Sequence, residues 1–466
     1  MLDLLPRLFP DFDWGRARLR VGDGLKTSEV AVPPKPRQSR PAIDDAQASY
    51  MNQRPRRAGF GPALLSVVDC AARRSRLPDL TLDPSALIDA AERRAGRSLQ
   101  SREIKTALAA LIDACERDAD LSLFGRHGFR HDALHRLRTV LQLEAAEAER
   151  PDITDAEISA PIFITGLPRS GTTFLHMLLA QDPANRVPLS WEVMRPYPDP
   201  RRRSRDRRVQ QTEREFRVFR GLAPGIEKLH PLAATTPQEC TEITSSIFQS
   251  LRFDTIYRVP SYLGWLEARG HDQAFHFHKR FLQHLQVQDP DGARRRWVLK
   301  CPDHVFALKS ILEVYPDARF VFVHRDPTSV LPSVAKLTEI LRAPFTRTLN
   351  RVALGAEVAG RCVQGADRIL GASEFLPESQ VLHLHYNQIT CDPIGVLERL
   401  DSHFRMSFGD EARELVLRFL ARRPRGGYGI NHYDPREFGL DLASIRRLFE
   451  PYLSVFGRLA SPVAGA

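Results

Sequence analysis

One stretch constrains what this chain can fold into more than any other: Pro161-Ile-Phe-Ile-Thr-Gly-Leu-Pro-Arg-Ser-Gly-Thr-Thr173. An apolar β-type run, Ile162 to Ile164, stops at Gly166. A loop of Gly, Pro, Arg and Ser then leads into helical apolar spacing at Leu175, Leu178 and Leu179. The pattern is strand, tight turn, helix N-terminus, where unpaired backbone N–H groups and the positive end of the helix dipole meet an anion.

The spacing Gly166…Gly171-Thr172-Thr173 has the length of a Walker A loop. The Lys of that motif is absent: Thr172 stands in its place, and Arg169 is the cation of the loop. A P-loop kinase or ATPase without that Lys lacks the group that reaches the β- and γ-phosphates. No clear Asp follows on a later strand for Mg²⁺. The loop therefore points to a phosphate-like anion rather than a nucleoside triphosphate.

Further strand candidates are Trp297-Val-Leu-Lys300, Arg319-Phe-Val-Phe-Val323 and Val381-Leu-His-Leu384, separated by helical stretches. Strands of this kind predict an α/β fold with a central parallel sheet covered on both faces, a P-loop-like three-layer arrangement. Residues 1–60 are Pro- and Arg-rich and read as a partly disordered arm. Residues 61–150 read as an all-helical N-terminal region. Asp83-Pro84 opens a helix ending near Gly96, Ser101 starts a second, and a third runs from about Asp132 to Glu149. The α/β domain is expected over residues 155–466. The Arg-rich run from Arg201 to Arg208 reads as a solvated loop or helix start.

Composition excludes several classes. Against 57 acidic residues stand 67 Lys and Arg, a net +10 that suits anionic ligands without requiring nucleic acid, and no nucleic-acid recognition motif accompanies it. The six Cys show no C-x-x-C pair and no His cluster at metal spacing, so neither a disulfide framework nor a metal site is expected. No apolar run approaches the ~18–20 residues of a membrane span, and the N-terminus lacks signal-peptide character. A cytoplasmic, soluble protein is the expectation. Oligomeric state is not legible.

The second anchor is Ala318-Arg-Phe-Val-Phe-Val-His-Arg-Asp-Pro327, with Ser333 on the helix that follows. Arg325 at the carboxyl end of a strand and Ser333 eight residues on can clamp one phosphate, at the edge where open α/β sheets bind ligands. Two anion sites on one edge imply a ligand with two separated anionic groups.

Both motifs, in this order, resemble those of the sulfotransferases that use 3′-phosphoadenosine 5′-phosphosulfate (PAPS), the bacterial branch related to the tyrosylprotein sulfotransferases. The resemblance covers roughly residues 160–440. It implies that Arg169, Ser170, Gly171, Thr172 and Thr173 bind the 5′-phosphosulfate, and that Arg325 and Ser333 bind the 3′-phosphate. Arg425, in Arg422-Arg-Pro-Arg-Gly-Gly427, matches a C-terminal loop that closes over the cofactor. Lys300 matches a family Lys that approaches the transferring oxygens. The implied activity is a nucleotide-binding transferase that moves a sulfonate to a hydroxyl acceptor without a metal, leaving 3′,5′-ADP. In place of the family's Tyr-Glu pair this chain has Tyr386-Asn387.

A base must take the acceptor's proton. Glu192, in Leu189-Ser-Trp-Glu, matches the Glu base of the bacterial and tyrosylprotein enzymes, and packing beside Trp191 would raise its pKa from ~4.3. His230, in Leu229-His-Pro231, is the rival, after the cytosolic enzymes. In Thr235-Thr-Pro-Gln-Glu-Cys-Thr-Glu242, Thr236 is the expected N-cap, and Glu239 or Glu242 either caps or lines the acceptor pocket. His271, His276, His278 and His284 are expected on a helix surface. Trp265, Phe275, Phe277 and Phe281 form either core or an acceptor wall. Besides a kinase, the competing reading is a degenerate cofactor-binding scaffold.

Overall fold

A computed structural model describes residues 81–198, 206–230, 232–289, 291–422 and 433–460. The Pro/Arg-rich arm, most of the Arg201–Arg208 run and Arg425 fall outside the described residues.

Helices open the described chain: α1 (Pro84–Ala95), α2 (Arg102–Asp118) and α3 (Leu123–Glu149). Their starts are set by side chains that accept orphan N–H groups. Asp83 caps α1 with Pro84 at the first position, Ser101 caps α2 through Ile104 N–H, and Ser122 caps α3 through Gly125 N–H. Gly96, left-handed at φ 70°, closes α1. Helix α3 begins at Leu123, directly after the Ser122 cap, rather than near Asp132, and Gly125 and Gly128 in its first turns pack against Phe345. A Cβ on Gly125 would lie 2.0 Å from the Phe345 carbonyl oxygen. The glycines that blur the helical signal are what let the chain approach there.

The sheet has five parallel strands: β1 (Ile162–Thr165), β2 (Asn185–Arg186), β3 (Arg296–Lys300), β4 (Arg319–His324) and β5 (Val381–His385), in the order β2-β3-β1-β4-β5. Strand β1 is central, with Ile164 level with Lys300 of β3 and with Val321 of β4. Alternation along each strand divides the core. Ile162, Ile164, Val298, Val321 and Val323 pack with Leu175 and Leu178 of α4 (Thr172–Leu179). Phe163, Leu299, Phe320 and Phe322 face the other layer. That second layer is continuous with Leu108, Leu111, Leu137 and Leu141, so the N-terminal helices and the sheet share one apolar core.

Three further helices matter for the site: α5 (Pro327–Arg342), α6 (Pro393–Phe404) and α7 (Glu450–Phe456). Asp326 caps α5 through Thr328 N–H. Of the clustered histidines, His278 and His284 are buried, not on a surface. His278 pairs with the Tyr315 hydroxyl at 2.8 Å, and His284 with Glu147 of α3 at 2.8 Å. Phe277 and Phe281 are core. Among the described residues, no helix is long and apolar enough to cross a membrane, and no three His, Cys, Asp or Glu side chains gather as a metal site would require.

Candidate active site

The strand order brings the carboxyl ends of β1, β3 and β4 side by side, and each delivers one part of the site. After β1 the chain turns through Gly166 at φ 137°, where a Cβ would lie 2.3 Å from the Val323 carbonyl oxygen. It then passes through Arg169 in the left-handed region, at φ 67°, and Gly171 at φ 98°. A non-glycine residue tolerates that region at a cost of about 1–3 kcal/mol, a strain that clusters at ligand clamps. Gly171 caps α4 with no side chain to offer its first N–H groups. The buried Ser170 Oγ has no hydrogen-bond partner among the described residues. A buried, unpaired hydroxyl beside a bare helix N-terminus is the arrangement an anion would satisfy.

Arg169 and the second anchor are joined directly. Arg169 Nε donates to Ser333 Oγ at 3.1 Å, and Arg325 Nη1 donates to the Arg169 carbonyl at 3.1 Å. The Arg325 guanidinium lies 4.0 Å over the Tyr386 ring. That same ring leaves no room for a side chain at Gly171, since a Cβ there would come within 2.6 Å of it. Tyr386 thus packs against both the loop and Arg325. Burial above all, and also the neighbouring Arg325, lowers the Arg169 pKa from its ordinary value. A guanidinium keeps its charge nonetheless. Tyr433, at the described end of the C-terminal loop, lies beside Arg169 and Ser333.

From β3 comes Lys300, almost fully buried. Its Nζ donates to Thr173 Oγ1 at 3.2 Å and to Glu239 Oε1 at 2.5 Å. Burial pushes the Glu239 pKa up, but Lys300 and His230 outweigh it and hold the carboxylate below its ordinary 4.5. His230 is in the same electrostatic neighbourhood, with Glu239, Lys300 and Arg169 all acting on it. Burial drives its pKa down to about 4, so the imidazole is neutral at physiological pH. Leu229, one residue earlier, accepts from Arg169 Nη1 through its carbonyl at 2.5 Å, which ties the His230 segment to the loop.

Glu192, the first of the two expected bases, lies at a helix start beside a buried arginine. Its Oε2 accepts from Leu189 N–H at 3.0 Å, closing the start of the short helix Ser190–Met194. Its Oε1 lies 3.6 Å from Arg186 Nη2, with both side chains buried. The sequence signal that favoured it, a Glu beside Trp at the right distance from the loop, is equally the signature of a helix start.

Glu239 is the carboxylate that the geometry puts beside Lys300. It occupies the N-cap position of the helix Cys240–Thr244, whereas Thr236, the expected cap, spends its hydroxyl on the Ala233 carbonyl at 2.8 Å. Behind that helix, α3 supplies a buried ionic brace. Arg136 Nε is 2.9 Å from Asp132, its Nη2 is 3.2 Å from Glu242, and Arg252 also contacts Glu242. A cavity of about 20 Å³ lies beside the helix Cys240–Thr244, lined by Leu251, Phe275 and Ala307 together with the polar Thr241, Gln249 and Asp303.

The sequence profile of the sulfotransferase family matches residues 161–410, a span that holds both anion motifs, Lys300, His230 and Glu239. The chain belongs to the sulfotransferase family. It is 28% identical over 266 residues to the omega-hydroxy-beta-dihydromenaquinone-9 sulfotransferase Stf3 of Mycobacterium bovis and, equally, of Mycobacterium tuberculosis. That match covers 54% of this chain and 63% of Stf3. The solved structure of sulfotransferase STF1 from Mycobacterium tuberculosis H37Rv superposes with a TM-score of 0.70 at 27% identity, covering 80% of this chain and all (100%) of STF1. STF9 from Mycobacterium avium gives 0.71 at 26% identity, covering 82% and 98%. The parallel-sheet, P-loop-like architecture of this sulfotransferase is therefore that of its bacterial relatives.

Proposed function

We propose that this sulfotransferase transfers a sulfonate from PAPS to the hydroxyl of an apolar, lipid-type acceptor, releasing 3′,5′-ADP. The observation that carries the reading is the direct link between the two anion motifs. Arg169, Ser333 and Arg325 form one connected cluster at the edge where β1 and β4 end. A bisphosphorylated nucleotide would lie with its 5′ group on the Gly166–Thr173 loop and its 3′-phosphate on Arg325 and Ser333. The unpartnered Ser170 Oγ and the three buried or half-buried cations Arg169, Lys300 and Arg325 match that donor set.

PAPS supplies the activated sulfonate, whose bond to the phosphate oxygen breaks as a bond to the acceptor oxygen forms. Lys300 and Arg169 neutralise the charge that grows on the leaving phosphate, which stabilises the transition state more than the ground state. His230 takes the proton of the acceptor hydroxyl. Its neutral imidazole is free to do so, and the Glu239 carboxylate stabilises the imidazolium that results. Glu239 has a second task, holding Lys300 beside Thr173 until the donor arrives. The apolar acceptor is supported by the name of one relative, Stf3, an omega-hydroxy-beta-dihydromenaquinone-9 sulfotransferase.

Calorimetric titration tests the donor site. The purified protein should bind 3′,5′-ADP in the micromolar range and ignore ATP with Mg²⁺. Preference for ATP with Mg²⁺ would instead make it a nucleotide kinase or ATPase, and binding of neither would make it a scaffold.

A further inference from the structure

The end of β4 carries more than Arg325. His324, the residue before it, is almost fully buried and belongs to a hydrogen-bonded chain that starts on the C-terminal helix α7. The Tyr452 hydroxyl lies 2.7 Å from His324 Nδ1, and His324 Nε2 lies 2.8 Å from His383 Nδ1 on β5. The Arg325 backbone N–H also acts electrostatically on the Tyr452 hydroxyl. With the Tyr452 proton donated to His324 Nδ1, His324 carries its own on Nε2 and donates it to His383, an assignment in which every group of the chain is paired.

Packing locks the arrangement. The Phe456 ring, one turn along α7, stacks on His324 at 4.0 Å with 12° between planes. Tyr452 is itself only 2% exposed. Burial, and after it His383 and His385, holds the His324 pKa well below its ordinary value, so the ring stays neutral. The strand ladder cannot serve the same purpose, because β4 ends at His324 and the chain turns into α5 at Pro327. At Arg325 the backbone has left the sheet, and the hydroxyl from α7 holds the residue before it.

We propose that Tyr452 is a positioning residue for the nucleotide donor: through its hydrogen bond to His324 it fixes the end of β4, and with it the direction of the Arg325 guanidinium toward the 3′-phosphate. The proposal rests on the donor-site reading above. It assigns the C-terminal helix a role in donor affinity, although α7 lies outside the residues matched by the family profile.

The test compares 3′,5′-ADP titrations of the wild type, Tyr452→Phe, Arg325→Ala and Leu453→Ala. Leu453 lies on the same helix and packs against the core, so its variant controls for loosened packing. Tyr452→Phe should weaken binding about five- to tenfold, the scale of one net hydrogen bond, and raise KM for PAPS with little change in kcat. Leu453→Ala should lower Tm at least as much and leave Kd where it was. Wild-type Kd in Tyr452→Phe, or an equal loss in Leu453→Ala, overturns the positioning role alone. Failure of the wild type itself to bind 3′,5′-ADP overturns the donor site and this proposal together.

Discussion

The two halves of the site are built in different ways. The donor half, Gly166–Thr173 with Arg325 and Ser333, is made by two short stretches of chain, each a strand end running into a helix. Backbone geometry decides it: glycines at positive φ, an exposed helix N-terminus, a ring of Tyr386 against Gly171. The half proposed to handle the acceptor's proton, His230 and Glu239 with Lys300, draws on three separate segments. It is held from behind by the Arg136, Asp132, Arg252 and Glu242 brace, which crosses from the N-terminal helices. A local motif can make an anion site almost by itself. Placing a base beside a cation takes the whole core.

That difference can be broken or sharpened by mutation. The largest effect is expected at His230: His230→Ala should reduce kcat by about 10²–10⁴ and leave 3′,5′-ADP affinity intact. Its depressed pKa adds a signature, since the acid limb of kcat/KM should fall near pH 4 in the wild type and not near 6.5. If Glu192→Gln, rather than His230→Ala, abolished turnover with binding preserved, the base would have been misassigned.

Next comes Lys300→Ala, with an expected fall of about 10²–10³ in kcat, the scale for losing one preorganised donor at a developing oxyanion. Single-turnover rates at saturating donor are the measurement, and a variant that turns over like the wild type removes Lys300 from the chemistry. On the donor half, Arg325→Ala should weaken 3′,5′-ADP by about 10- to 100-fold, one charge-assisted contact, while kcat at saturating PAPS changes far less. A large kcat loss with unchanged Kd would erase the distinction between the halves.

The smallest effect concerns the join between α3 and the sheet layer. Burial raises the Glu147 pKa, but hydrogen bonds from His284 and Arg280 outweigh it and hold the carboxyl at about 2, below its ordinary 4.5. Its stabilising contribution is therefore present above pH 4.5 and is lost as pH falls toward 2. Denaturation of Glu147→Gln across that window should show a shallower acid slope than the wild type. Equal slopes would mean the pair contributes nothing to holding the helices on.

The same contrast explains what could be read from the chain alone. Strands β1, β3, β4 and β5 were legible because buried parallel strands are short apolar runs, and the caps Asp83 and Ser101 because capping is local. Strand β2, only Asn185–Arg186, has no periodicity to detect. The anion motifs were legible because spacing and residue type carry their chemistry. Glu239 was seen as a candidate and not ranked, because Thr236 offered a better-looking cap. What chose between them was the partner on β3, Lys300, 61 residues away in sequence. The Arg186 and Leu189 contacts of Glu192 likewise do not show in its motif.

One measurement tests the central claim most directly. The purified protein is incubated with sulfur-labelled PAPS and a panel of long-chain alcohols and quinol-type lipids, beside Lys300→Ala and an ATP-plus-Mg²⁺ control with labelled γ-phosphate. Label passing from PAPS into the organic phase, with stoichiometric 3′,5′-ADP and none from Lys300→Ala, is the predicted result. Transfer of label from ATP, with PAPS left intact, would contradict it.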